Sequence, residues 1–328
     1  MERPSVRELR VAWNLRWKRR RILWRCFRSR GALTAVRDRT ATIAADAILC
    51  FSTVRNEMPR LPGFLDHHRG LGVRHFLFID NGSDDGTAEF LAVQPDVSLW
   101  RTGAGYRAAR FGLDWIGWLL MRHAHGHWAL VLDADETLIY PYWQTRDLRA
   151  LTEWLDGQGR AMFPAMMLDL YPEGRLSEGR PLEWFDSGNY AIRMQPIMRN
   201  LWIQGGVRSR ALLDDPRRGP TLTKVPLVKW DRRFAYVNST HSILPRRLNR
   251  FYDGGPSGIL LHDKFADGAP SRAAQEKARR EHFFDPALFD AYYDALIADP
   301  VLHGPHSRRL GGWRQLEALG LMSRGGWV

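Results

Sequence analysis

Two carboxylates, Asp133 and Asp135, bracket Ala134 directly after the apolar run Trp128 to Leu132. Side chains at i and i+2 reach one cation where a strand loosens into a turn. Mg²⁺ or Mn²⁺ takes one or two carboxylates together with substrate phosphate oxygens. Such an ion neutralises charge on a departing diphosphate. An acidic pair in a loop is more often simply solvated; the position at the end of a buried strand is what favours a metal. Glu136 either orients the pair from behind or caps the element that follows. A second polar run, Asp80 to Thr87, ends another apolar segment. There Asp80 and Asn81 suit a base or ribose, and Gly82 and Gly86 allow tight turns. An Asx-turn with Asp85 or Ser83 capping the next helix is the structural alternative.

Further along, Leu260-Leu261-His262-Asp263-Lys264-Phe265 delivers an imidazole and an amine to one strand end. His262 suits a third metal ligand and Lys264 a point charge for phosphate, against a core histidine and a surface lysine. Arg208 and Arg210, behind Gly205-Gly206, read as alternate residues on one side of a strand and as other anion contacts. His241 is a further acceptor or catalytic candidate. Two patterns are set aside. Gly103 to Ala108 imitates a dinucleotide loop, but no acidic residue ends a strand about 20 positions later. His123, His125 and His127 alternate at a helix end, which suits a surface cluster better than one ion.

These residues need elements to hold them. Ala47 to Val54, Arg74 to Ile79, Val97 to Trp100 and Trp128 to Leu132 read as strands. Leu61 to Leu71, the stretch from Thr87 through Leu91, and Tyr106 to His125 read as helices. That alternation predicts an α/β fold with a mixed, mostly parallel central sheet and helices on both faces. Ligands bind such sheets beyond the carboxyl ends of the strands. Later strands are expected at Met162 to Leu168, Val225 to Lys229, Ala235 to Val237 and Gly258 to His262, then a helix from Ser271 to Ile297. The domains so read are a basic arm over 1–42, a catalytic domain over 43–300 and a tail over 301–328.

Composition narrows the class. The chain has 328 residues, 14 Trp, two Cys and a net charge of +12. Cys26 and Cys50 stand apart, which excludes a disulfide framework or zinc knuckle. No apolar run is long enough to span a bilayer and no secretory signal is visible, so a cytoplasmic protein is expected. Residues 1–40 hold thirteen basic residues against Glu2, Glu8 and Asp38, an excess of ten of the twelve charges. Within them Val6, Leu9, Trp13, Trp17, Trp24 and Phe27 recur at helical spacing, interrupted by Arg20. Such a helix over 1–30 fits an anionic surface, peripheral on the inner membrane face, or else docks on the catalytic domain or on a second subunit. No stacking module supports nucleic-acid binding.

Together the motifs resemble glycosyltransferase family 2 and related GT-A enzymes. The carriers are Thr53-Val54-Arg55-Asn56-Glu57, Ile79-Asp80-Asn81-Gly82-Ser83 with Asp85-Gly86-Thr87, and Leu132-Asp133-Ala134-Asp135-Glu136. More narrowly they are similar to the bacterial branch with Arg-Asn-Glu and Asp-Ala-Asp-Glu motifs. Gly205 to Arg208, Lys224 to Leu227, Ser239 to His241 and Leu260 to His262 also fit that branch. The resemblance covers roughly residues 45–290 and implies a GT-A fold transferring a sugar from a nucleotide-diphosphate donor to a saccharide or lipid-linked acceptor, in surface polysaccharide or glycolipid synthesis. It implies donor contacts from Thr53, Arg55, Glu57, Asp80 and Lys264. It also implies a Mn or Mg ion on Asp133, Asp135 and His262. The usual Glu-Asp base motif is not visible. Asp186, flanked by Trp184 and Phe185, is the candidate base ahead of Asp169 and Asp231, since aromatics suit a sugar platform. The alternatives are a sugar-phosphate nucleotidyltransferase and a non-catalytic module on the same fold.

Overall fold

The computed structural model describes residues 5–213, 217, 219–266, 268–279 and 286–328. The basic arm opens as helix α1 (Val6–Ser29), started by a capping box in which Ser5 and Glu8 satisfy each other's backbone donors. The chain continues through β1 (Thr34–Arg37), β2 (Leu49–Val54), α2 (Leu61–Gly70), β3 (His75–Asp80), α3 (Thr87–Val93), β4 (Val97–Arg101), α4 (Leu113–His123), β5 (Trp128–Val131) and β6 (Glu136–Ile139). Then come α5 (Leu148–Gly157), β7 (Met162–Asp169), β8 (Trp184–Asp186), β9 (Tyr190–Gln195), β10 (Asn200–Gly205), α6 (Gly206–Leu212) and β11 (Thr223–Lys229). The last elements are β12 (Ala235–Tyr236), β13 (Ile243–Leu244), β14 (Gly258–His262), α7 (Ala269–Arg279), α8 (Pro286–Ile297), β15 (Ser307–Arg309) and α9 (Trp313–Ala318).

A nine-stranded sheet in the order β1-β4-β3-β2-β5-β11-β7-β14-β6 forms the centre. The neighbours β4, β3, β2 and β5 are mutually parallel, as are β7 and β14. β11 is inserted antiparallel between β5 and β7, and β1 and β6 run antiparallel on the edges. The α/β class and the mixed sheet are therefore as expected, with more antiparallel pairing than the first four strands suggest. Alternating side chains divide the core. Cys50, Phe76, Phe78 and Leu130 face α2, α3 and α5, while Leu49, Phe51, Leu77 and Ala129 face α4. Helices thus cover both faces. No described helix is long and apolar enough to cross a membrane.

Several expectations are corrected. The helix predicted over Tyr106 to His125 begins only at Leu113, because Arg110, Phe111 and Gly112 all adopt left-handed backbone. A side chain at Gly112 would also press on Thr53 Oγ1 at 2.8 Å. Tertiary bonds hold this turn: Arg110 donates to Asp114 and to the carbonyls of Tyr236 and Val237. Helix α5 had not been anticipated. Residues 280–285 of the continuous helix expected from Ser271 to Ile297 lie outside the described residues. The arm is not separate, since β1 joins the sheet edge. Nor do residues 301–328 form a tail, since Trp313, Leu316 and Trp327 are buried in the core.

Candidate active site

Strand direction explains how distant segments meet. β2, β3, β5, β7 and β14 all finish at one edge of the sheet, and the antiparallel β6 and β11 both start there. That edge therefore gathers the loops after Val54 and Asp80, the Asp133–Glu136 turn, Asp169, Lys224 and His262. Asp263 N donates to Asp135 O at 2.9 Å, stitching the turn after β5 to the end of β14.

The edge is dense in charge. His262 Nε2 lies 3.1 Å from Asp135 Oδ2, and its Nδ1 lies 2.6 Å from Asp169 Oδ1. Arg208 Nε donates to the other oxygen of Asp169 at 2.8 Å. Burial would push the His262 imidazole down, but Asp135 and then Asp169 raise it to about 9. Burial likewise opposes the charge on Asp135, yet His262, Lys264 and Arg60 hold its carboxyl well below the usual range. The side chain of Lys224 is almost wholly buried; its amine donates to Asp133 Oδ2 at 2.8 Å and also pairs with Glu136. Burial pushes Glu136 up to about 7 in spite of that amine. Asp133 is different: protein surrounds it, yet its side chain keeps 57% exposure, as on the floor of an open cleft.

The residues expected at the donor divide into two groups. Glu57 and Lys264 stand at the cleft. Burial pushes Glu57 up to about 7 although Arg60 pairs with it, and Arg60 Nη2 reaches Asp263 O at 3.4 Å. The charge of Lys264 acts on both Glu57 and Asp135, and among the described residues its amine makes no ion pair. Thr53 Oγ1 is enclosed and has no hydrogen-bond partner there either. Arg55 is exposed beside them. Asp80, by contrast, is fully buried, accepting from Ser83 N at 3.1 Å and facing Arg101 at 3.3 Å. Its visible work is to shape the loop. The structural reading of that loop also holds: Asp85 accepts from Thr87 N and Met58 N, and Asn56 and Asp84 bond reciprocally.

Asp186 is not presented to the cleft. It sits on β8 with 1% exposure, accepting from Tyr171 Oη at 2.6 Å and from Arg210 Nε and Nη2 at 2.8 and 2.9 Å. Among the described residues no hydrogen bond or ion pair joins it to the acidic turn, so the placement does not favour it as a base. Arg208 and Arg210 lie on helix α6, not on a strand, and hold protein carboxylates instead of an open anion site. His241 Nδ1 donates to the Thr223 carbonyl at 2.8 Å, and burial lowers the imidazole to about 4. Asp231 is bound by Arg233 away from the cleft.

Lys224 is the residue to which sequence reasoning gave no role. The signal was a lysine at the buried start of the apolar strand β11, two residues before Pro226. The register shifts between Lys224 and Leu227, where Pro226 has no N–H to pair.

Among the described residues, no three His, Cys, Asp or Glu side chains form a ready-made metal cage. The donor chemistry still fits a hard divalent ion of the kind completed by substrate oxygens, with the carboxylates of Asp133 and Asp135 and the imidazole of His262 adjoining. A separate cavity of about 460 Å³ lies at the opposite end of the sheet, lined by Arg74, His127 and Asp156 among others, and takes no part in this arrangement.

No protein family and no curated protein matches the chain. Among solved structures it is similar to a Bacillus anthracis protein described as a glucose-1-phosphate thymidylyltransferase, in complex with a sucrose. The identity is 11%, over 83% of this chain and 94% of that one, with a TM-score of 0.29. At that score the likeness carries no argument.

Proposed function

We propose that the chain is a metal-dependent glycosyltransferase, moving a sugar from a nucleotide-diphosphate donor to a saccharide or lipid-linked acceptor. The observation that carries this reading is the meeting of Asp133, Asp135 and His262 at one sheet edge, beside the Thr53–Glu57 loop and Lys264. Asp133 and Asp135, with His262, would hold Mn²⁺ or Mg²⁺. When bound, the ion would supply charge neutralisation for a departing diphosphate. Lys264 adds a point charge on the same side, suited to a phosphate oxygen. Asp169 and Arg208 fix the imidazole from behind, as partners of a ligating histidine commonly do. Lys224 keeps Asp133 and Glu136 in place without blocking the open side of Asp133.

Titration calorimetry with a panel of nucleoside diphosphates, with and without Mn²⁺, tests this. Binding should tighten with the metal, and Asp135→Asn should remove the enhancement. An unchanged metal effect in that variant would overturn the assignment. Product analysis separates the chemistries: a glycosyltransferase releases nucleoside diphosphate from a nucleotide sugar, whereas a nucleotidyltransferase releases pyrophosphate from a triphosphate and a sugar phosphate. Binding without either product would identify a non-catalytic module.

A further inference from the structure

Helix α1 carries two opposite faces. At about 100° per residue, Leu15, Ile22 and Cys26 share one side. Ile22 and Cys26 are buried and pack with Ala235, Val237 and Leu244, Leu15 and Met198 adjoining. The seat is fitted closely: a side chain at Gly117 on α4 would come within 2.5 Å of Cys26 Sγ. Arg25 Nη2 pairs with Asp114 at 2.8 Å, and Ser29 Oγ donates to Asp114 O at 2.9 Å. Docking on the body is therefore satisfied by this side alone.

Directly opposite, Val6, Trp13, Trp17 and Trp24 fall within about 40° of one line. The three indoles keep 56%, 44% and 59% exposure. Arg10, Arg21 and Arg28 flank the line on one side and Arg16 and Arg20 on the other. Nine basic residues of the helix face the single acid Glu8, and among the described residues only Arg25 of these pairs with a carboxylate. Beside the first turn, Arg199 and Arg246 lie close enough to act on Glu8. Arg199 is the last residue of the turn between β9 and β10, a hairpin that exposes Ile192, Met194 and Ile197.

We infer that the outward face of α1 rests on an anionic lipid surface, with the tip of the β9–β10 hairpin beside it. Indoles at the centre and guanidiniums along both margins match a headgroup boundary, where apolar side chains enter and basic groups meet lipid phosphate. At 24 residues the helix is about 36 Å long and lies flat, being too charged to cross. Nucleic acid fits less well, because several of the aromatic faces are already engaged. Trp13 meets Trp17 edge-on, Trp24 stacks on Phe27, and Arg20 and Arg30 cover Trp17 and Phe27. Bases would need those faces free.

The test is co-sedimentation of the full chain with vesicles rich in phosphatidylglycerol and with neutral phosphatidylcholine vesicles. Binding should favour the anionic vesicles by at least about tenfold and fall with salt. Two variants should lose it while keeping the native melting temperature: Trp13→Ser with Trp17→Ser and Trp24→Ser, and Arg10→Gln with Arg20→Gln, Arg21→Gln and Arg28→Gln. Binding that persists in both variants, or that ignores lipid charge, overturns the inference. So does a Trp-dependent dimer in light scattering, or Trp-dependent binding of an RNA oligonucleotide, without vesicle binding. Nucleoside-diphosphate titration of the same variants should be unchanged, so this inference and the proposed activity fail separately.

Discussion

Helix α6 sends its two arginines into two carboxylate clusters that invite the same first reading and deserve different ones. Arg208 supports Asp169, which holds His262, which faces Asp135. Arg210 supports Asp186, which also accepts from Tyr171, whose hydroxyl in turn meets Ser307. Each chain begins with a buried ion pair. The second ends there: every oxygen of Asp186 is matched and solvent is excluded. The first ends at an open cleft, with Asp133 exposed and Lys264 making no ion pair among the described residues. Buried acids are common to both, so burial does not distinguish chemistry from architecture. Coordinating capacity left over on the solvent side does.

The largest effects should separate the clusters most sharply. Asp135→Asn keeps the volume and a polar contact to His262 but removes a charge that His262, Lys264 and Arg60 stabilise, so the melting temperature should fall, though by less than a truncation that leaves a buried partner alone in a cavity. If metal stabilisation of the diphosphate is worth several kcal/mol, turnover of a nucleotide sugar should fall by about 10²–10⁴. Asp186→Ala should do the reverse. Removing one partner of a buried pair costs about 3–5 kcal/mol, so the urea midpoint should drop steeply. Turnover per folded molecule should stay within about twofold of the native value, because the open cluster is untouched. A stable Asp186→Asn variant without turnover would restore Asp186 as a catalytic candidate and collapse the contrast.

The same contrast shows what the sequence could reveal. Asp133, Asp135 and His262 were legible because each closes a short apolar run, and strand ends are where a parallel sheet presents ligands. Thr53 to Glu57 and the Asp80 to Thr87 loop were legible for the same reason. Lys224 was not, because its burial depends on β11 inserting between β5 and β7, a long-range pairing that no local period encodes. The roles of Arg208 and Arg210 were misjudged because Gly205-Gly206 introduces a helix where a strand seemed to continue. The start of α4 was missed for a related cause: Arg110, Phe111 and Gly112 are left-handed, and Arg110 is anchored by bonds to Tyr236 and Val237, 126 and 127 positions further on.

Two buried histidines extend the comparison to pH. His262 is flanked by carboxylates that offset the effect of its burial, whereas His68 is wholly buried among apolar groups, where burial, with a smaller push from His67, lowers it to about 3. His68 Nδ1 donates to Phe64 O at 2.8 Å and its Nε2 accepts from Leu138 N at 3.5 Å, which fixes the neutral form. The unfolded chain takes up the proton near pH 6.5, the native protein only near 3. Stability from this site is therefore complete above about pH 6.5 and is lost progressively down to about 3. At pH 5 the loss should be about 2 kcal/mol relative to neutral pH. Urea melts of the native chain and of His68→Gln at both pH values check it. The variant should lack that share of the acid destabilisation; an identical acid limb would show that His68 is already protonated in the fold.

The smallest effect is the finest test of the open and closed ends. Lys264→Ala removes a half-buried amine that makes no ion pair among the described residues, so the melting temperature should change by little. Its charge lies within reach of Glu57 and Asp135, on the side where a diphosphate would sit. A charge-assisted contact of about 1.5 kcal/mol corresponds to roughly tenfold in affinity. Nucleoside-diphosphate binding should weaken by that factor, while binding of the bare nucleoside stays the same. Arg210→Ala offers the mirror image, with large destabilisation and no change in diphosphate affinity for the protein that remains folded. Equal losses of diphosphate affinity in the two variants would mean that the cleft is not bounded as drawn here, and that the cluster around Asp186 belongs to the donor site.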